Sequence, residues 1–151
     1  MARRLGDDLN EIRFQDNLSG TEILLYYRIP TTNERIAYTN ESYQRKGRKL
    51  INRSVETRHK YGLKILKGFR EGDFERKVDG KWKPMSSDSA SENYYPEWKT
   101  HIEKYASDLV EHLAMRVFDL SVGVPEEDEE KGGQVSGVRC QENEEDLDPN
   151  V

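Results

Sequence analysis

A chain of 151 residues with a net charge of −5, 34% hydrophobic residues and 35% charged ones has the length of one domain and a modest core. No apolar run approaches the roughly 20 residues needed to cross a bilayer, and residues 1–8 lack the apolar stretch of a signal peptide, so the expected location is the cytoplasm. The single cysteine, Cys140, has no partner for an intramolecular disulfide, which fits a reducing compartment.

Ile12 and Phe14 alternate with Arg13 and Gln15, the pattern of a short strand. A second strand is expected over 21–29, dense in Ile23, Leu24, Leu25, Tyr26 and Tyr27, and Pro30 ends it by withdrawing a backbone donor. Thr31 and Glu34 stand at capping-box spacing, which predicts a helix carrying Ile36, Ala37, Tyr38 and Tyr43 before Gly47 interrupts it. Ser54 is a candidate cap for the next helix, whose apolar positions Val55, Gly62, Ile65, Leu66 and Phe69 recur at helical spacing. Gly62 weakens that helix by about 1 kcal/mol.

From Gly72 the period changes, and Asp79-Gly80 between short apolar-bearing runs predicts a β-hairpin over 73–85. Residues 86–93 read as a polar loop. Pro96 suits the first turn of a long amphipathic helix that carries Trp98, Ile102, Tyr105, Leu109, Leu113 and Val117 and runs to about residue 120. The remainder, with Gly123 and Pro125 at its start, has too little apolar surface to order itself. The expected fold is therefore α+β: short N-terminal strands, two to three helices, a small hairpin and a long C-terminal helix in a domain over 1–120, then a disordered acidic tail over 121–151.

Charge follows the same division. Residues 121–151 hold ten acids against Lys131 and Arg139, a net of −8, which leaves +3 for residues 1–120. Two readings stay open for the tail: occupation of a basic patch until a partner displaces it, or solubility alone.

Constellations for catalysis are absent from the sequence. His101 and His112 are separated by about 16 Å of helix rise, too far to share a metal, and neither HExxH, paired CxxC nor a calcium loop is present. Neither a GxSxG elbow nor a phosphate loop ending in GK[ST] occurs, so no cofactor is expected. Ser86, Ser87, Ser89 and Ser91 read as solvated loop, and Glu97, Glu103, Asp108 and Glu111 as the wet face of the last helix. A pocket uniting His59 or His101 with carboxylates distant in sequence would reopen the question of an enzyme.

The window 44–70 stands out. It contains Arg45, Lys46, Arg48, Lys49, Arg53, Arg58, Lys60, Lys64, Lys67 and Arg70, with Glu56 as its one acid, and Tyr43, Tyr61 and Phe69 are interleaved with these cations. Basic side chains beside stacking aromatics suit a phosphate backbone with exposed bases. The same pattern arises when cations coat helices whose aromatics are buried.

Tyr27-Arg28-Ile29-Pro30-Thr31, followed by Glu34-Arg35-Ile36-Ala37-Tyr38, resembles the N-terminal strand, Pro-Thr turn and helix start of small proteins encoded with tail genes in tailed phages and Mu-like prophages, tail-assembly chaperones among them. The resemblance implies a non-enzymatic phage or prophage protein that assists tail or virion assembly by binding tail or head–tail proteins. It also implies a place in the cytoplasm of a bacterial host or on the virion. The alternative is a small nucleic-acid-binding protein that uses the basic 44–70 segment.

Overall fold

The computed structural model describes residues 2–6 and 8–123, and the chain divides after Ser121. The expected acidic tail, from 124 on, lies outside the described residues. The fold is α+β. Strands β1 (Asn10–Asp16) and β2 (Thr21–Tyr27) form an antiparallel hairpin, and β5 (Leu66–Phe69) adds antiparallel to the other edge of β2. Ile12 and Phe14 point to the core, as their alternation with charged and polar neighbours requires.

Position decides the run in β2. As the central strand it buries Ile23 and Leu25 in the main core, and Leu24 is buried as well. The segment after β5 seals this strand: Asp73 Oδ2 accepts from the Leu24 amide at 2.9 Å, and the Arg70 amide donates to the Leu24 carbonyl at 3.0 Å.

Helix α1 (Thr32–Ser42) starts on the expected capping box, with Thr31 Oγ1 accepting from the Glu34 amide at 3.2 Å and Glu34 Oε1 accepting from the Thr31 amide at 2.9 Å. Glu34 also takes both guanidinium nitrogens of Arg28 at 2.8 and 2.7 Å, tying the end of β2 to the start of α1. That fork holds the Glu34 carboxyl down to about 2.

Three expectations fail between 43 and 69. Tyr43 does not extend α1: it begins β3 (Tyr43–Lys46), which pairs with β4 (Lys49–Asn52) across Gly47-Arg48. Positive φ falls on Gly47 alone, at 62°, the pattern of a type II′ turn. Leu66 and Phe69 likewise do not extend α2 (Ser54–Ile65), because pairing with β2 satisfies their backbone instead. Nor does Ser54 cap α2. Its amide donates to Asn52 Oδ1 at 2.8 Å, and Arg53 holds the cap position without a side-chain bond.

The Asp79-Gly80 hairpin forms as expected, between β6 (Phe74–Val78) and β7 (Lys81–Met85), with φ of 52° and 79° at its two turn residues, the type I′ requirement. The loop over 86–93 is less solvated than expected. Ser86 is buried, and Ser87 Oγ accepts from the Phe69 amide at 3.0 Å.

One long C-terminal helix is not what forms. The segment is broken into α3 (Trp98–Tyr105), α4 (Ser107–Ala114) and a π-helical turn (Met115–Asp119), and Pro96 precedes it. Ala106, at φ −132° and ψ 38°, makes the break. The kink lets Ile102 and the Leu109, Val110, Leu113 face all reach the core, whereas Tyr105, placed on the apolar stripe by its spacing, turns outward. The π turn then brings Phe118 flat against Tyr38, with centroids 4.3 Å apart. Helices α2 and α4 cross at Gly62, where an added Cβ would lie 2.6 Å from the Val110 carbonyl oxygen.

Candidate nucleic-acid interface

The ten cations of 44–70 divide by their surroundings. Four are held by carboxylates: Arg53 by Glu56 at 3.0 Å, Arg58 by Glu111 at 3.4 Å and Asp119 at 3.3 Å, Lys60 by Glu41 at 2.9 Å, and Arg70 by Asp73 at 3.1 Å. Arg70 also donates to the Glu22 carbonyl at 3.0 Å. Lys64 lies 5.4 Å from the Tyr61 ring centroid, and Lys67 is exposed on β5.

Arg45, Lys46 and Lys49 stand on the β3–β4 ribbon, with Arg48 at its turn, and among the described residues their side chains make no ion pair or hydrogen bond. Both strands are exposed almost throughout. The register places Arg45 opposite Leu50 and Tyr43 opposite Asn52 on one face, and Lys46 opposite Lys49 with Gln44 opposite Ile51 on the other. The Arg53 amide donates to the Ser42 carbonyl at 2.7 Å and closes the ribbon's base.

Of the three interleaved aromatics only Tyr43 is free to stack. Tyr61 and Phe69 are core residues. Tyr61 donates to Glu41 Oε2 at 2.7 Å, and burial, with the adjacent carboxylate, pushes its hydroxyl up to about 12. Lys60 and Tyr61 together hold the Glu41 carboxyl below its ordinary value.

The acidic face expected of the last helix is partly engaged too. Glu111 binds Arg58, and its other oxygen lies 3.6 Å from His59 Nε2. Asp119 accepts from the Tyr38 hydroxyl at 3.0 Å as well as from Arg58. These contacts join α1, α2, α4 and the π turn, and the sequence window could not reveal them because the acids lie more than 50 residues away.

A cavity of about 530 Å³ lies where the β1–β2 turn, the β6–β7 hairpin and the α3–α4 break meet, and it brings His101 together with Asp16, Glu75 and Asp108. This is a pocket of the kind that reopens the enzyme question. The His101 ring, however, packs against Tyr95 and Tyr105 at centroid distances of 5.7 and 5.0 Å, and among the described residues it makes no hydrogen bond to a carboxylate or a nucleophile. A smaller cavity of about 250 Å³ joins His59, Glu103 and Ser107. Among the described residues no helix is long and apolar enough to cross a membrane, and no three His, Cys, Asp or Glu side chains are grouped to hold a metal ion. Neither a protein-family model, nor a curated protein, nor a solved structure matches this chain.

Proposed function

We propose that the protein binds duplex nucleic acid through the β3–β4 ribbon. One observation carries this reading: Arg45, Lys46, Arg48 and Lys49 are exposed on a ten-residue ribbon without carboxylate partners among the described residues, while four other cations of the same window are neutralised. Two strands about 4.8 Å apart make a body narrow enough for a major groove about 12 Å wide, and a strand of four residues spans about 13 Å. Lysine and arginine side chains on both faces then reach the two flanking phosphate rows. Fluorescence anisotropy of labelled duplex and single-stranded DNA, with the full chain and a variant carrying alanine at all four positions, tests it. Salt-sensitive binding that the variant loses supports the reading; no binding at low salt, or binding that the variant keeps, overturns it.

A second reading, assistance of phage or prophage tail or virion assembly through protein–protein binding in the bacterial cytoplasm, is supported by the exposed apolar rim that Leu18, Trp82 and Tyr105 form around the 530 Å³ cavity. Co-expression with neighbouring gene products, followed by purification of a stoichiometric complex, tests it. Loss of that complex in Trp82→Ser is expected.

A further inference from the structure

The described part of the chain carries two exposed surfaces that complement each other. The first is the ribbon face bearing Tyr43, Arg45 and Leu50, where Tyr43 is 52% and Leu50 63% exposed. The second is the rim of the cavity, where Trp82 is 64% and Tyr105 68% exposed above a floor that includes Met85, Ile102 and Leu109. Three carboxylates, Asp16, Glu75 and Asp108, border the second surface against one cation, Lys77.

None of those carboxylates is neutralised by an ion pair among the described residues. Asp16 accepts from Ser19 Oγ at 2.6 Å and from the amides of Leu18 and Ser19 at 3.2 Å, bonds that favour its ionised form. Glu75 and Asp108 are exposed, and their side chains make no hydrogen bond or ion pair among the described residues. Lys77 extends toward the Trp82 ring, 5.8 Å from its centroid, so the wall's own cation already sits over an aromatic face. The groove is thus apolar and aromatic at its centre and negative at its edge. The ribbon face is apolar and aromatic with an arginine between, and Arg48 lies at its turn.

We infer that the β3–β4 ribbon of one copy docks in the Trp82–Tyr105 groove of a second copy. Leu50 and Tyr43 would cover the exposed aromatics, and Arg45 and Arg48 would meet Glu75 and Asp108. The cavity volume falls in the range of roughly 300–1,000 Å³ that accommodates a compact ligand, which is enough for the side chains of one short ribbon. Ribbon and groove are different patches, so the contact is heterologous, and each copy keeps a free ribbon at one end and a free groove at the other. Copies therefore chain head to tail, into a ring if the rotation closes and a filament if it does not.

The test is a reciprocal charge exchange, read by sedimentation velocity and light scattering on the full chain at low salt over a range of concentrations. The wild type gains mass with concentration and loses it as salt rises. Glu75→Arg with Asp108→Arg makes the groove basic, and Arg45→Glu with Arg48→Glu makes the ribbon acidic. Each variant alone sets like charges against each other and weakens association about tenfold or more. Mixed, the two restore it, because the acidic ribbon meets the basic groove and the basic ribbon meets the acidic one.

Wild type that stays monomeric throughout overturns the inference. So does association indifferent to both variants, or a mixture that does not recover. Should a charge variant not fold, Tyr43→Ser with Leu50→Ser on the ribbon and Trp82→Ser on the groove probe the apolar half of the contact at residues that are each more than half exposed in the single chain. Loss of association supports the docking, and retention overturns it. Nucleic-acid binding is not required for any of these outcomes: the groove variants keep all four ribbon cations, so DNA anisotropy on them reports on that reading separately.

Discussion

Stepwise removal of the ribbon's cations changes the salt dependence of DNA binding by an amount that the ion-pair map fixes. Each phosphate neutralised on B-form DNA contributes about −0.9 to the slope of log K against log salt. If Arg45, Lys46, Arg48 and Lys49 make the contacts, the slope is about −3.6, and raising salt from about 50 to about 200 mM weakens binding roughly 150-fold. Engagement of Lys64 and Lys67 as well takes the slope to about −5.4, and engagement of all ten basic residues of 44–70 takes it to about −9, with a loss above ~10⁵-fold over the same range. Anisotropy titrations at several salt concentrations separate these values. Lys46→Ala reduces the magnitude of the slope by about 0.9, whereas Lys60→Ala leaves it unchanged because Glu41 already holds that ammonium. A slope steeper than about −6, or one that survives removal of all four ribbon cations, refutes the division of the basic window into cations held by carboxylates and cations that are not.

Three further predictions concern the body that carries the ribbon. Gly62→Ala gains about 1 kcal/mol of helix propensity, but its Cβ would press on the Val110 carbonyl oxygen and Cγ1 at 2.6 and 2.7 Å, and overpacking typically costs about 1–3 kcal/mol or more. A net loss of up to about 2 kcal/mol is expected in urea melts, and a raised midpoint would mean that α2 and α4 lie further apart at Gly62. Glu34 is lowered from 4.5 to about 2 by Arg28, so its contribution is fully present above pH 4.5 and lost as pH falls toward 2. That contribution is about 3 kcal/mol, and acid unfolding of Glu34→Gln should lose this part of its pH dependence. Tyr38 and Tyr61 are raised from 10 to about 12, chiefly by burial, so their neutral forms stabilise the fold below pH 10 and that stability, about 3 kcal/mol each, disappears between pH 10 and 12. Alkaline unfolding that moves to higher pH in Tyr38→Phe checks this, and no movement would place the hydroxyl in solvent.

What the sequence made legible is what local chemistry decides. Thr31 and Glu34 cap a helix wherever the chain lets both reach, and Asp79-Gly80 turns a hairpin because both residues accept positive φ. What escaped is what neighbours distant in sequence decide. Leu66 and Phe69 continue a helical spacing, but β2 offers them a strand partner, and Gly68 marks the exchange, since its hydrogen lets Ser87 Oγ approach to 2.7 Å of where a Cβ would stand. Ala106 carries no local breaker. The break there goes with packing: Tyr105, on the apolar stripe by its spacing, turns outward while Ile102 before it and Leu109, Val110 and Leu113 after it stay buried. The β3–β4 ribbon gave no apolar alternation to read, and Gly47 looked like a helix stop because a stop and a turn place the same demand on φ.

That ribbon also gains little from its own structure. A lone two-stranded hairpin is marginal in water, and Lys46 directly opposite Lys49 makes it worse, since like charges across a ladder repel. Lysines on a strand edge do guard against pairing with other chains. Protection alone, however, would favour charge at every exposed position, and the ribbon instead exposes Tyr43 and Leu50 beside its cations. Unpaired positive charge set next to exposed aromatic and aliphatic surface costs stability in the single chain, and it is recovered when phosphates or carboxylates meet the cations and another surface covers the side chains. The cations of 44–70 that do hold the fold together, Arg58 between Glu111 and Asp119 and Lys60 on Glu41, have acquired carboxylates from elsewhere in the chain. Arg45, Lys46, Arg48 and Lys49, which have not, share one two-stranded ribbon that is exposed almost throughout, which makes the ribbon the place to look for a partner.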